Sequence, residues 1–244
     1  MVTLKHKVLL LFVFISLELF CLTVPPSRSV GSGIRIFFGP AYGFYQLNKN
    51  HATNAAPKMS AIAGFRKEIR FDREFRTFFL FGVDYFFHGV NFKSYYFKPD
   101  SLKLYDKTFP YDYSLFIHEI DLPLQMKFSF SRENNSLFSA YAMVGYHLRY
   151  LLPSRLTVTQ NGNTVKTDDA DLKFKNPFID SRMNSMVSFT FGWQKNGFNS
   201  SRSSFFMELN FRYGFSPYYF EKSYAATSLY TNATHLSLLI GIKF

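Results

Sequence analysis

The chain is poor in cysteine and lacks long apolar runs beyond its first 30 residues. Its 244 residues include one cysteine, Cys21, so neither an intrachain disulfide nor a paired-cysteine metal site can form. No stretch of about 20 uninterrupted apolar residues follows the N-terminal segment, which excludes membrane-spanning helices. A glycine-rich phosphate loop and a His-Glu-x-x-His motif are also absent. These absences argue against a nucleotide-binding enzyme, a zinc hydrolase of that type and a helical membrane protein.

Residues 1–29 have the layout of a secretory signal peptide. Two lysines precede an apolar run from 8 to 17, and a stretch with small residues ends at Ser29. We predict cleavage after Ser29, which would remove Cys21 and leave 30–244 as one barrel domain without a thiol.

Aromatic residues are plentiful, with 32 phenylalanines and 16 tyrosines, yet the mean hydropathy is only -0.07. Apolar residues must therefore alternate with polar ones. Between 116 and 130 the even positions are aromatic, aliphatic or histidine, while most odd positions are polar or charged. This period of two is typical of a strand with one apolar face. Eight segments show it: 34–44, 60–71, 77–88, 116–130, 138–149, 184–193, 205–214 and 236–244.

The pattern predicts an all-β fold, an eight-stranded antiparallel transmembrane β-barrel of the outer-membrane type, with lipid outside and a polar interior. A soluble β-sandwich or lipocalin-like barrel is the alternative, but it would bury its apolar face. The dense outward aromatic residues and the terminal Phe244 favour the membrane barrel.

Connections between the predicted strands alternate in length. Short ones lie near 72–74, 132–135 and 195–197, and long ones span 46–58, 93–113, 151–182 and 216–233. In bacterial outer-membrane barrels short turns are periplasmic and long loops extracellular. We therefore expect both termini in the periplasm and the long loops outside the cell.

Charged residues recur on the inward face of the predicted strands. The interior of an eight-stranded barrel is just wide enough for side chains to fill it, and buried charges are costly unless paired. An ion-pair plug is therefore favoured over a conduit or a ligand site. The predicted lumen charge network consists of Arg35, Arg66, Glu68, Arg70, Asp84, Glu119, Asp121, Lys127, Arg149, Glu208 and Arg212, and His147 and Lys243 face inward with it.

Two histidine–carboxylate pairs are the candidates for catalysis. Asp84 and His88 share a face, but four residue steps along a strand separate them by about 13 Å. That distance is too long for direct general-base contact. His118 and Glu119 are adjacent and point to opposite faces. We therefore expect no enzymatic activity and no cofactor.

An acidic cluster, Asp168, Asp169 and Asp171, lies in the third long connection. Calcium requires several nearby oxygens, which such a cluster could supply. The cluster lacks the glycine-punctuated spacing of a calcium loop. Solvated loop acids are the favoured interpretation, and no metal is predicted.

The basic charge favours anionic lipid as a partner. Removal of 1–29 takes away three basic residues and one acidic residue, which changes the net charge from +11 to +9. The basic residues are scattered along the chain instead of forming one stripe, which argues against a nucleic-acid partner. Outer-membrane lipid, including lipopolysaccharide, is the expected partner.

Four segments resemble the PorT-like outer-membrane barrels. Residues 117–127 are similar to a strand of that family that reads Glu-Ile-x-Leu-Pro-Leu-Leu-x-Lys. Residues 139–146 resemble the strand that follows it, 207–214 the penultimate strand and 240–244 the terminal strand. The resemblance implies a non-enzymatic accessory of type IX protein secretion, with secretion-system components as partners.

Two other classes stay open beside the export role. One is a structural or adhesive small envelope barrel of OmpA type, whose loops bind host or matrix molecules. The other is a lipid-modifying barrel enzyme or a narrow pore, for which Asp84 and His88 would be the residues to change.

The terminal Phe244 is the predicted signal for the barrel-insertion machinery, and it also adds an aromatic anchor at the membrane edge. Deletion of Phe244 is expected to lower the amount of protein inserted in the membrane without changing signal-peptide cleavage. Immunoblotting of membrane and periplasmic fractions measures both. Normal membrane levels of the truncated protein would contradict this role.

Overall fold

The computed structural model describes residues 33–47, 53–71, 76–94, 96–97, 104–105, 111–130, 138–170, 172–174, 182–195, 203–216, 218–220 and 231–244. The predicted signal segment 1–29 lies outside these residues and stays a prediction. No helix long and apolar enough to cross a membrane occurs in the part of the chain that is described.

Strands are numbered in chain order, and eight long ones form the main wall. They are β1 (Gly33–Leu47), β3 (Ser60–Arg70), β4 (Thr77–Ser94), β7 (Tyr111–Ser129), β8 (Phe138–Leu151), β12 (Met183–Lys195), β13 (Ser204–Gly214) and β15 (Thr231–Lys243). The short strands between them are β2 (Thr53–Pro57), β5 (Tyr96–Phe97), β6 (Leu104–Tyr105), β9 (Ser154–Gln160), β10 (Asn163–Ala170), β11 (Leu172–Phe174) and β14 (Tyr218–Phe220).

The eight long strands close into a barrel. Each pairs antiparallel with the next along the chain, in the order β1, β3, β4, β7, β8, β12, β13 and β15. β15 then returns to β1, with Arg35 opposite Lys243 and Tyr42 opposite Leu236. The predicted fold class, an eight-stranded antiparallel barrel of the outer-membrane type, is confirmed. Each predicted strand segment lies in one of these strands, except for the last residue of three segments: Phe71, Phe130 and Phe244.

Along most of the wall, the interior is polar and the exterior is apolar. In β7 buried positions alternate with exposed or partly exposed ones from Tyr111 to Phe128. Inward side chains include buried arginines, lysines and carboxylates, whereas the outward face exposes large apolar residues. Examples from seven strands are Ile36, Phe38, Phe65, Leu124, Val144, Phe189, Trp193, Leu209 and Leu238. This distribution of polar and apolar side chains is the reverse of that in a soluble protein, and it is the one expected for a barrel wall surrounded by lipid.

The polarity of both faces reverses near Gly89 of β4 and Phe116 of β7, which are paired in register. Above this level the outward side chains of β4 are Asn91 and Lys93, both exposed, and the inward ones are Val90 and Phe92, both buried. A wall that is polar outside and apolar inside is the arrangement expected in water. The reversal therefore marks a boundary between two environments.

Beyond the boundary the chain forms a cap with its own apolar core. Its strands are β2, the ends of β4 and β7 past Gly89 and Phe116, β9, β10, β11 and β14. β2 pairs antiparallel with the end of β4, and β9 pairs antiparallel with the first residues of β7, while β14 pairs with both β11 and β15. The buried cap core consists of Val90, Phe92, Tyr111, Tyr113, Leu115, Ile117, Leu151, Leu156, Val158, Leu172, Phe174 and Tyr218.

The cap corrects the prediction that 93–113 and 151–182 are simply connections. β4 runs to Ser94 and β7 starts at Tyr111, and 154–170 form a β-hairpin beside β7. The hairpin turns at Asn161 and Gly162, whose φ angles are 50° and 80°. An Asn-Gly pair suits a two-residue hairpin turn because both positions need positive φ. The inward Leu156 and Val158 then complete the cap core.

Candidate functional site: a filled lumen beneath an apolar cap

The lower lumen, at the level of Gly33 at the start of β1 and of the C-terminal Phe244, contains a cluster of three cations and two carboxylates. Glu68 receives hydrogen bonds from the ammonium groups of Lys243, at 2.6 Å, and Lys127, at 3.3 Å. Arg35 lies 3.6 Å from Glu68 and 2.6 Å from Glu208. All five side chains are buried. The cluster links β1, β3, β7, β13 and β15.

The middle lumen is built on two arginines and two aspartates. Arg66 donates two hydrogen bonds to Asp84, at 3.1 and 2.6 Å. Arg212 donates to Asp84 at 2.8 Å and to Asp121 at 2.6 Å. Gln125 accepts a further bond from Arg66 at 2.7 Å. Arg212 of β13 thus bridges carboxylates from β4 and β7 across the barrel.

The upper lumen meets the cap core through Glu119. Tyr218 donates to one carboxylate oxygen at 2.6 Å, and Arg149 contacts the other at 3.1 Å. The Nε2 atom of His88 lies 3.4 Å from that second oxygen, and its Nδ1 atom lies 2.5 Å from the Tyr45 hydroxyl. Tyr218 also belongs to the cap core, so it connects the polar lumen to the apolar core of the cap.

Ten of the eleven predicted lumen charges are fully buried, and each lies in an ion pair. Lys243, which the sequence also places on the inward face, forms an ion pair with Glu68 at 2.6 Å. Arg70 differs, because it is only partly buried and its guanidinium lies 5.8 Å from the Phe78 ring. Aromatic rings also contact two of the cations. The guanidinium carbon of Arg35 lies 3.8 Å from the centroid of the Phe206 ring, and that of Arg66 lies 4.4 Å from the centroid of the Phe37 ring.

One group of side chains in the described interior has metal-ligand character. Ligand atoms of Asp84, Asp121 and His147 lie within 4.8 Å of one another. Arg66 and Arg212 already donate to the two carboxylates, so a divalent cation there would give the group a net positive charge. Burying such unbalanced charge is costly, and the residues do not fit a metal site.

The structure separates the two residues of each histidine–carboxylate pair that was considered for catalysis. Asp84 pairs with arginines in the middle lumen, whereas His88 contacts Glu119 above it. His118 faces outward, where its Nδ1 atom lies 2.6 Å from the Tyr85 hydroxyl, and Glu119 points inward. The contact between His88 of β4 and Glu119 of β7 joins two neighbouring strands. The two-residue period of a sequence shows which face a side chain lies on, but it does not show which residue of the next strand lies beside it.

Two predictions concern the acidic cluster at 168–171 and the terminal Phe244. Asp168 and Asp169 belong to β10, but their side chains and Asp171 lie outside the described residues, so the calcium hypothesis stays untested. Phe244 is exposed on the outer wall, and its backbone exchanges two hydrogen bonds with Ile34, at 2.9 and 3.0 Å.

Known structures with similar folds are small outer-membrane barrels. The outer membrane protein OprG from Pseudomonas aeruginosa is 12% identical, with a TM-score of 0.51, and the alignment covers 87% of this chain and 96% of OprG. Neisserial surface protein A is 14% identical, with a TM-score of 0.36, over 86% of this chain and 97% of its own. No protein-family model and no curated protein matches the sequence. The likeness to OprG supports the barrel fold and nothing finer.

The Arg212 bridge gives a test of the lumen architecture. Arg212→Met should lower the free energy of unfolding by about 3–5 kcal/mol, because it leaves Asp121 unpaired and weakens the pairing of Asp84 in a buried site. Urea unfolding in lipid vesicles, followed by Trp193 fluorescence, measures the loss. Lys195→Met, at an exposed position of β12, is the charge-matched control. Equal stability of the two variants would contradict the bridge.

Proposed function

We propose that the chain is a non-enzymatic barrel of the bacterial outer membrane, with periplasmic termini and an extracellular cap, that acts as a structural or adhesive envelope protein. The observation that supports this proposal most directly is the reversal of polarity at Gly89 and Phe116. Below this level the outer surface of the wall is apolar, as expected in lipid, and above it the outer surface of the cap is polar, as expected in water. The barrel then anchors a folded surface module.

The lengths of the strands agree with this arrangement. A tilted transmembrane strand needs about 9–11 residues. β3 and β13 have 11 residues each, whereas β4 has 18 and β7 has 19. The excess of β4 and β7 therefore projects beyond the membrane on the side opposite Phe244, where it forms the wall of the cap.

The filled lumen argues against transport and catalysis. The described interior contains three stacked groups of ion pairs, and the cap core closes the end above Glu119. The carboxylates and His88 are fully buried and already partnered. Outer-membrane lipid, lipopolysaccharide and the barrel-insertion machinery are the proposed partners of the wall, and the cap is the proposed contact surface for extracellular molecules.

The export role implied by the PorT-like resemblance is a finer proposal on the same fold. The segment Ile117–Lys127, which carries much of that resemblance, supplies Glu119, Asp121 and Lys127 to the lumen ion pairs. Barrel folding alone therefore accounts for these charges. Normal secretion of proteins with C-terminal sorting domains after deletion of the gene would exclude the export role.

Cysteine labelling tests the proposed location and orientation. In intact cells a membrane-impermeant maleimide should label Asn91→Cys on the cap but not Lys195→Cys at the opposite rim, because the outer membrane shields the periplasm. Both positions are exposed. The parent chain controls for background from Cys21, and labelling after lysis shows that both cysteines react. Labelling of Lys195→Cys alone in intact cells would show that the barrel has the opposite orientation. Equal labelling of both cysteines in intact cells would contradict the proposal that the membrane separates the two positions.

A further inference from the structure

The outer wall has an apolar groove on β1, β3 and β4. Its volume is about 650 Å³, and its lining includes Ile36, Ala63, Phe65, Val83 and Tyr85. The groove exists because Ala63 is small and stands in register between larger neighbours, Phe38 on β1 and Tyr85 on β4. It faces the environment that the proposed function assigns to lipid.

Aromatic side chains lead from the groove to the polarity boundary. Phe87 follows Tyr85 on the outward face of β4, and its ring stacks on Phe116 of β7 with centroids 5.4 Å apart and planes at 13°. The His118 ring lies 5.1 Å from the ring of Phe87. Four residue steps separate Tyr85 from Gly89, which is about 13 Å along the strand.

Two cations lie beside Phe116, at the upper end of this row of aromatic side chains. The Lys58 ammonium lies 3.4 Å from the centroid of the Phe116 ring and donates a hydrogen bond to the Ser114 hydroxyl. Arg155 of β9 is paired in register with Phe116, and its side chain is exposed. The outward acid on β7, Asp112, lies farther up and pairs with Lys93 at 3.6 Å.

Partial burial makes Lys58 suited to an anionic ligand. Desolvation lowers the pKa of its ammonium from the ordinary value. Its nearest described contacts are a ring face and a hydroxyl, and neither carries a compensating negative charge. A phosphate oxygen would supply that charge through a charge-assisted hydrogen bond, and Arg155 could bind the same group in a bidentate manner.

We propose that Lys58, Arg155 and the groove form a binding site for a phosphorylated lipid of the outer leaflet. The phosphate lies between Lys58 and Arg155 at the boundary, and an acyl chain runs down past Phe87 into the groove beside Ala63. This inference rests on the proposed function, because it needs the groove in the bilayer and the cap outside. It adds a specific lipid contact to the general anchoring of the wall.

The test uses the full-length protein in nanodiscs of neutral phosphatidylcholine, with bis-phosphorylated lipid A as the probe and native mass spectrometry as the readout. Lys58→Gln with Arg155→Gln should lower the affinity at least about tenfold, because two charge-assisted contacts are lost. Removal of both phosphates from the lipid should have a similar effect on the wild type. Ala63→Phe, which fills the groove, should weaken binding while both cations stay in place.

A second double variant, Lys93→Gln with Lys195→Gln, removes the same charge elsewhere and should bind within about twofold of the wild type. Unchanged binding by the Lys58/Arg155 variant would overturn the proposal, as would equal binding of the dephosphorylated lipid. Displacement of lipid A by inorganic phosphate at equal concentration would show a simple anion site and would also overturn it.

Failure of this inference can be told apart from failure of the proposed function. Migration of unheated protein on gels reports barrel insertion, and it should be the same for the wild type and all three variants. A wild type that inserts and shows the expected cysteine labelling, but binds no lipid A, would refute the lipid site alone. A wild type that fails to insert would refute the membrane barrel itself.

Discussion

The structure depends on one constraint: backbone N–H and C=O groups surrounded by hydrocarbon must all be paired within the protein. A sheet satisfies it only by closing, and here the β15–β1 pairing, with Arg35 opposite Lys243, completes the ring. Closure at eight strands leaves an interior that side chains fill. Since the outward positions below Gly89 and Phe116 are mostly apolar, the inward ones hold most of the charge of the wall there, and those charges must find partners inside.

The ion pairs follow from that geometry. Arg212 bridges Asp84 and Asp121 across the lumen, and Glu68 forms ion pairs with Lys127 and Lys243 at the lower end of the barrel. Buried pairs of this kind add little net stability over a well-packed apolar core, but loss of one partner is costly. Their main effect is that the lumen is occupied. The surfaces left for function are therefore the outer wall and the cap.

The cap exists because the same strands pass from one solvent to another. β4 and β7 keep their period of two beyond Gly89 and Phe116, but the apolar residues change sides. Val90 and Leu115 then pack in a conventional core under a polar outer surface. The boundary carries cations as well as aromatic rings, since Lys58 lies over Phe116 and Arg155 stands opposite it. These two cations are the groups on which the proposed lipid site depends.

The sequence predicts the barrel more fully than the cap. Alternation between 116 and 130 reveals the strand and its faces because a two-residue period is a local property. The reversal of polarity at Phe116 interrupts that alternation in the sequence. The prediction therefore starts the strand at 116, whereas β7 begins at Tyr111. The hairpin of β9 and β10 had a local signal in Asn161-Gly162, which is typical of a tight turn. Contacts such as His88 with Glu119 depend on the register of neighbouring strands, which composition and spacing do not specify.

The central claim is that hydrocarbon surrounds the wall below Phe116 and water surrounds the cap above it. Quenching of single tryptophans by brominated lipids tests this claim most directly, because the chain has one tryptophan, Trp193, exposed on the outward face of β12. In bilayers of lipid brominated on the acyl chain, Trp193 should be strongly quenched. A tryptophan placed at Asn91, in a chain carrying Trp193→Phe, should keep its fluorescence. Equal quenching at both positions, or quenching at neither, would contradict the account.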